Sequence, residues 1–542
     1  MIPLSRHLRW LLPTGVLLLA AALRLWQLDA PHRLVFDEIY YVRDAISQLA
    51  HGFPTQWPDD DPAFADPSAF TADAAPIAHP PLGKWLIGLG VLLFGAESAW
   101  GWRIAAAVAG ITTVGLTMRL GWMMTRSLAV AVFAGLMLAI DGTHIAMSRV
   151  GLLDVFLTLF IVLGAVCIWQ DQAAGGAIDP RAAAPLSSRA RPERGAARLG
   201  PALWRRPWLL AAGAVFGAAA AVKWSGLYAL AALLVLIVMR DLVLRTRIAD
   251  RPILGSARQA LITAAIALPA AGATYLATWL GWILNPGASW REPGTPWWVS
   301  LWEWHAHTLS WHVTLSAEHP YAANPWGWPL ALRPTGMYWS SEPELGGCPP
   351  GTSCVAAIGT LPNPLVTWAG VAALLLLLWI VVRAAIRVEL LRRSGVWVAA
   401  FVLTGYLSGW VPWLITSSRS AVFHFYAVAL TPFSALALGL ILAAVSSSRP
   451  SRARHTVAAA PDVATDPRSA ERPRGGSDPG ALIELAGIRL ARDPRSLRGR
   501  RAAVAIFLST AVLLGLLFYP LWSAMPVPEW FWRAHLWLPG WH

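Results

Sequence analysis

The stretch "RSLAVAVFAGLMLAIDGTHIAMSRVGLLDVFLTLFIVLGAVCIWQ", residues 126–170, decides the fold. An apolar run over 128–146 stops at a short polar turn, and a second run resumes at once over 151–169. Each is long enough for a membrane crossing, which takes roughly 20 residues. Two spans joined by a tight turn mark a polytopic chain. The turn carries Arg149 and Asp154, and an acidic residue at the edge of the membrane is costly unless paired or used. An Arg149–Asp154 or Asp141–Arg149 ion pair is the bland reading of these charges.

Working outward, further apolar runs fall at about 8–28, 102–123, 207–222, 225–240, 257–283, 364–383, 396–416, 422–446 and 501–522, making about eleven spans. The chain has 542 residues, is 56% hydrophobic and only 13% charged, where soluble domains carry about 25%. The predicted fold class is an all-α polytopic membrane protein. The formal charge of +13 does not point to nucleic acid. Its arginines cluster in 119–127, 170–206, 240–258, 383–393 and 447–501, which share one side if the N-terminus is inside. The first run has Arg6 and Arg9 at its head, lacks a small-residue cleavage site, and reads as a retained span.

This organisation predicts a cytoplasmic N-terminus and first span over 1–28, and an extracytoplasmic loop over 29–101. A transmembrane core follows over 102–283 with a cytoplasmic linker at 170–206. Then come a Trp-rich extracytoplasmic loop over 284–363, spans over 364–446, a disordered basic linker over 447–500, and a last span with its tail over 501–542. "LGKWLIGLGVLLFG", 82–95, is too short to span and reads as an amphipathic or re-entrant helix on the outer face. "WWVSLWEWHAHTLSWH" reads as a second amphipathic interfacial helix. Its His305, His307 and His312 do not match a closed zinc set, so no metal is expected. Cys167 lies in an apolar run. Cys348 and Cys354, in "CPPGTSC", could form a disulfide if their loop lies outside.

The chemistry-bearing residues gather on the expected outer side. Asp37 and Glu38 follow the first span in "LVFDEIYYVRDA", where flanking aromatics can tune a carboxylate for base work. Of 43 Lys plus Arg only two are lysines, Lys84 and Lys223, both at the predicted outer interface. A compact ammonium there suits a lipid phosphate. Arg419, His424 and Tyr426 stand at another outer turn.

Taken in order, "FDE", "HPPLGKW", "SRVGLLD", "VKWSGLY" and "RSAVFHFY" resemble the protein O-mannosyltransferases, integral-membrane glycosyltransferases of the GT-C type. "CPPGTSCVAAIGT" and the Trp-rich loop resemble the actinobacterial branch. The loop 284–363 is too short for the β-trefoil MIR domain of the eukaryotic members. The resemblance implies inverting transfer of mannose from polyprenyl-phosphate-mannose to Ser or Thr hydroxyls of secreted proteins, emerging from the secretion machinery, at the outer face of a bacterial plasma membrane. It implies Asp37 as the base, with Glu38 positioning the acceptor or sharing that role. The leaving lipid phosphate needs cationic stabilisation, for which His79, Lys84, Arg149, Lys223, Arg419 and Tyr426 are the candidates, supported by Asp154, Trp224 and His424. No cofactor beyond the lipid donor is implied, and membrane lipids surround the site. The alternatives are an aminoarabinose-type GT-C transferase, a lipid-linked-sugar transporter, or a non-catalytic paralogue.

Overall fold

The computed structural model describes residues 7–541 except 59–62, 175–198, 347, 349–350, 417–418, 448–477 and 492. The central parts of both expected linkers lie outside the described residues.

Every expected span is helical. Among the described residues, eight helical stretches are long and apolar enough to cross a membrane: α4 (Ala99–Thr125), α7 (Asp154–Ala173), α9 (Gly226–Arg245), α10 (Pro252–Thr278), α13 (Pro364–Ile386), α14 (Ser394–Ile415), His424–Ser446 and α17 (Pro494–Phe518). Within the seventh, a 3-10 turn over His424–Leu430 leads into α15 (Thr431–Ser446). The other three runs form the shorter α1 (Leu8–Leu25), α5 (Leu128–Ala139) and α8 (Pro207–Val222).

The run 128–146 is two helices. Asp141 breaks it by accepting the His144 N–H at 2.8 Å, which caps α6 (Gly142–Met147). A carboxylate at that position satisfies a donor that a helix start leaves open. Asp141 is thereby spent locally, and it forms no pair with Arg149. Close packing elsewhere rests on small residues, as between membrane helices generally. A Cβ on Gly213 or Gly217 of α8 would stand 2.3 Å from the carbonyl oxygen of Ala267 or Ala271 of α10.

The connections carry more structure than expected. The first loop holds α2 (Glu38–His51) and the short α3 (Leu82–Phe94), which pack on each other, and α3 packs on α4. After α10 and α11 (Leu280–Leu284), the Trp-rich loop folds α12 (Trp297–Thr314). It also supplies two strands of a small antiparallel sheet. β1 (Gly336–Ser340) pairs with β2 (Cys354–Gly359), and β2 with β3 (Val527–Pro528) near the C-terminus. A Cys348–Cys354 disulfide ends at β2. The fold is mostly helical, with one small sheet among the described residues.

The expectation of disorder through residue 500 is corrected. α16 (Gly480–Leu485) buries Leu482 and Ile483, because these apolar side chains have a surface to dock on. Trp379 and Arg383 of α13 donate to the carbonyls of Ala486 and Leu485 at 3.0 and 2.6 Å. Asp493 then caps α17 through the N–H groups of Arg495 and Ser496. α17 thus starts at Pro494, ahead of the expected 501.

The Arg-rich connections meet at one end of the bundle. Arg206 holds Asp171 at 2.6 Å, Arg392 reaches Thr246 Oγ1 at 2.9 Å, and Arg500 donates to the Val445 carbonyl at 3.0 Å. α7 runs from Asp154 to this Asp171 end, so Asp154 and its neighbours lie at the opposite end.

Candidate active site

The loop after α1 has little backbone pairing of its own, so side chains hold it. Arg103 of α4 is fully buried. Its guanidinium donates to the carbonyls of Leu28, Pro31 and Arg33 at 3.2, 2.9 and 2.9 Å. It also donates to both oxygens of Glu38, each at 2.9 Å. Glu38 further accepts the N–H groups of Val35 at 2.9 Å and Gly151 at 2.7 Å. A buried carboxylate is tolerable when it is paired and hydrogen-bonded in this way. Glu38 was expected to position the acceptor or to share the base's role. Its carboxylate is instead wholly occupied, and it pins the start of α2.

Asp37 precedes α2 and points elsewhere. Among the described residues, no hydrogen bond or ion pair reaches its carboxylate. Burial pushes the Asp37 carboxyl up to about 6; nearby Lys223 pulls the other way and Asp154 adds to the rise. Phe36, held at φ 50°, packs edge-on against Phe423, Phe425 and His319.

Lys223 follows α8 in extended conformation. Its ammonium lies 2.7 Å from Asp154 and 4.8 Å above the Tyr426 ring. His79, ahead of α3, stacks on His312 of α12 at 5.4 Å and lies 6.1 Å from the Tyr41 ring. His312 Nδ1 meets Arg419 Nη1 at 3.1 Å. The His79 imidazole is held well below its usual range by burial, and then by Lys223, His312, Lys84 and Arg419. Trp224 donates to Tyr275 Oη at 3.1 Å and stacks on His305 at 5.6 Å. The assembly is one free carboxylate faced by an ammonium, a guanidinium and neutral imidazoles among aromatic rings. It can accept a proton and hold an anion side by side.

Sequence reasoning brings His79, Lys223, Arg419, Tyr426, Asp154 and Trp224 to this place beside Asp37. Three expected residues have other partners. Arg149 donates to the carbonyls of Leu23, Arg24, Trp26 and Gln27 and to Tyr519 Oη. It therefore satisfies the end of α1, where helix carbonyls lack partners, and neither expected ion pair forms. Lys84, buried, pairs with Asp44 of α2 at 2.9 Å, which joins α2 to α3, and its charge still reaches His79. His424 turns to Thr360 Oγ1 at 3.2 Å, one residue past β2. Arg103 and Asp44 escaped sequence reasoning, since nothing local marks their long-range pairing. His312 was visible, but only as a rejected metal ligand.

The apolar helical bundle thus carries a carboxylate–cation cluster at the end opposite its Arg-rich connections. Two family models divide the chain between them. Residues 15–284 match the dolichyl-phosphate-mannose-protein mannosyltransferase model, and 297–541 match the C-terminal four-transmembrane region of protein O-mannosyltransferase. The chain belongs to the protein O-mannosyltransferase family. It is 28% identical over 563 residues to the polyprenol-phosphate-mannose–protein mannosyltransferase of Mycobacterium tuberculosis, covering 99% of this chain and 93% of that protein. The protein of the same name from Corynebacterium glutamicum is 27% identical over 533 residues, covering 94% and 88%. A solved S. cerevisiae protein O-mannosyltransferase complex, bound to its sugar donor, shares the fold with a TM-score of 0.68 at 14% identity, covering 100% of this chain and 93% of that one.

Proposed function

We propose that this chain moves mannose from polyprenyl-phosphate-mannose to Ser or Thr hydroxyls of secreted proteins, with Asp37 as the base. One observation carries the assignment: Asp37 is the carboxylate left without a partner at the cluster where Lys223, Arg419 and His79 converge, while adjacent Glu38 is consumed by Arg103. The acceptor Oγ loses its proton to Asp37 and attacks the anomeric carbon. The bond from that carbon to the phosphate oxygen breaks, its electron pair stays on the phosphate, and polyprenyl phosphate leaves. Attack opposite the leaving group inverts the configuration.

Lys223 and Arg419 offset the charge gained by the phosphate, and Tyr426 and His79 line its place. Stabilising charge where it develops is the largest lever a site of this kind has. Burial keeps Asp37 a stronger base than an exposed carboxylate, and Lys223 keeps it ionisable. The lipid donor is the only co-reactant this reading requires.

The site belongs on the outer face of the plasma membrane, with the N-terminus inside. The Arg-rich end of the bundle lies opposite Asp154, as the positive-inside tendency expects of a cytoplasmic face. Acceptors are Ser/Thr-rich chains met as they leave the secretion machinery. The test is mannose transfer to a synthetic Ser/Thr peptide by the purified protein, followed by sugar analysis of the product. Mannose α-linked to Ser or Thr supports the reading. A glycolipid product, or another sugar, rejects it.

A further inference from the structure

We infer that His312 is a positioning residue for donor binding: a neutral imidazole that aims Arg419 and holds His79 from one point on α12. This rests on the donor-phosphate reading given above and adds a residue to it.

The partners settle the proton. Arg419 Nη1 can only donate, so the His312 nitrogen 3.1 Å away, Nδ1, must accept. The Ala78 carbonyl can only accept, so Nε2, at 3.1 Å from it, must carry the hydrogen. Both contacts are satisfied only by the neutral Nε2–H tautomer. A protonated ring would present N–H to the guanidinium and break the contact. The same ring stacks on His79 at 5.4 Å, with 18° between planes.

Arg419 depends on this contact. Its half-buried side chain takes no carboxylate among the described residues, and its buried Nε has no partner there. A guanidinium held at one nitrogen by a neutral acceptor, with Nε buried and unfilled, is prepared for an anion. A carboxylate in place of His312 would hold Arg419 more tightly and neutralise it.

α12 is anchored for this task. Trp304 donates to the Ile77 carbonyl at 3.2 Å, one residue before the carbonyl that His312 takes. Seven residues from His312, close to two helical turns and so near the same face, His305 Nδ1 donates to Leu301 at 2.6 Å. Its Nε2 lies 2.7 Å from Tyr275 Oη, which receives the Trp224 N–H. The two histidines thus brace the two segments that supply His79 and Lys223.

The test uses the full-length detergent-solubilised protein and undecaprenyl phosphate as the binding probe. His312→Phe keeps a ring and loses the acceptor. His312→Gln keeps one acceptor and one donor. His312→Phe is expected to weaken probe binding and raise donor KM by about tenfold, the loss of one contact to a charged group, with acceptor KM unchanged. His312→Gln should recover to within about threefold, as a partial restoration of that contact. Adding His312→Phe to Arg419→Ala should cost clearly less than the sum of the two single losses, because His312 acts chiefly through Arg419. Unchanged probe binding in His312→Phe, equal changes in both KM values, or additive losses in the double variant would overturn the inference. Wild-type protein that does not bind the probe would instead overturn the donor-phosphate reading beneath it.

Discussion

Arg103 and Glu38 form a fully buried ion pair, with guanidinium nitrogens 2.9 Å from each carboxylate oxygen. The pair ties α4 to the start of α2 and leaves the neighbouring Asp37 as the unpartnered carboxylate. Breaking a buried pair on one side strands the other charge, at a cost of about 3–5 kcal/mol. Arg103→Met should therefore lower the melting temperature of the purified protein markedly and reduce activity through loss of folded enzyme. A variant as stable as wild type would contradict this role.

Asp37 should behave in the opposite way. Its carboxyl ionises near 6, above its ordinary 3.8, chiefly through burial. Such a group binds its proton more tightly in the folded state, so its ionisation costs stability as pH rises through that range. Asp37→Asn should abolish transfer yet melt no lower than wild type at pH 7.5. Thermal unfolding beside an activity assay checks both halves. An inactive but clearly destabilised variant would point to a structural role.

The same group sets the pH profile. With Asp37 as the base, kcat/KM should fall about tenfold for each unit below pH 6. His312, held at about 4 chiefly by burial with Arg419 nearby, stays neutral across that fall. A profile measured from pH 4.5 to 8 with saturating donor checks this. An acid limb that persists unchanged in Asp37→Glu at reduced activity would support a different base.

Two arginines that look alike in sequence should separate in kinetics. Arg419→Ala should raise donor KM roughly tenfold or more, as expected for one lost charge-assisted contact. Arg149→Met should leave donor KM unchanged and cost roughly 2–5 kcal/mol of stability, because four carbonyls at the end of α1 lose their donor. A donor KM effect confined to Arg149 would reverse the assignment.

The cysteines offer a simple check. Cys348 and Cys354 are joined and Cys167 is a buried thiol. Denatured, unreduced protein should take up one equivalent of a thiol reagent, and reduced protein three.

How much of this was legible in sequence depends on range. Spans such as 364–383 and 396–416 announce themselves, because a membrane crossing needs its apolar residues in one run. The break of 128–146 at Asp141 did not, since a short polar interruption within an apolar run can be a cap or only a polar neighbour. Asp37 and Glu38 were found together, and only the family resemblance implied Asp37 as the base. Their difference is made by Arg103, some sixty-five positions away and marked by nothing near it. Arg149 was misread for the same reason, because a carbonyl cluster at a helix end has no sequence signature. The docked α16 was lost in a polar stretch whose composition masked Leu482 and Ile483.

The most direct measurement is transfer of radiolabelled mannose from polyprenyl-phosphate-mannose to a Ser/Thr-rich peptide by purified wild-type protein and Asp37→Asn side by side. Label on the peptide with wild type, and none with the variant although it still binds undecaprenyl phosphate, is the expected result. Label that persists in Asp37→Asn would contradict Asp37 as the base, and no label with wild type would contradict the proposed reaction.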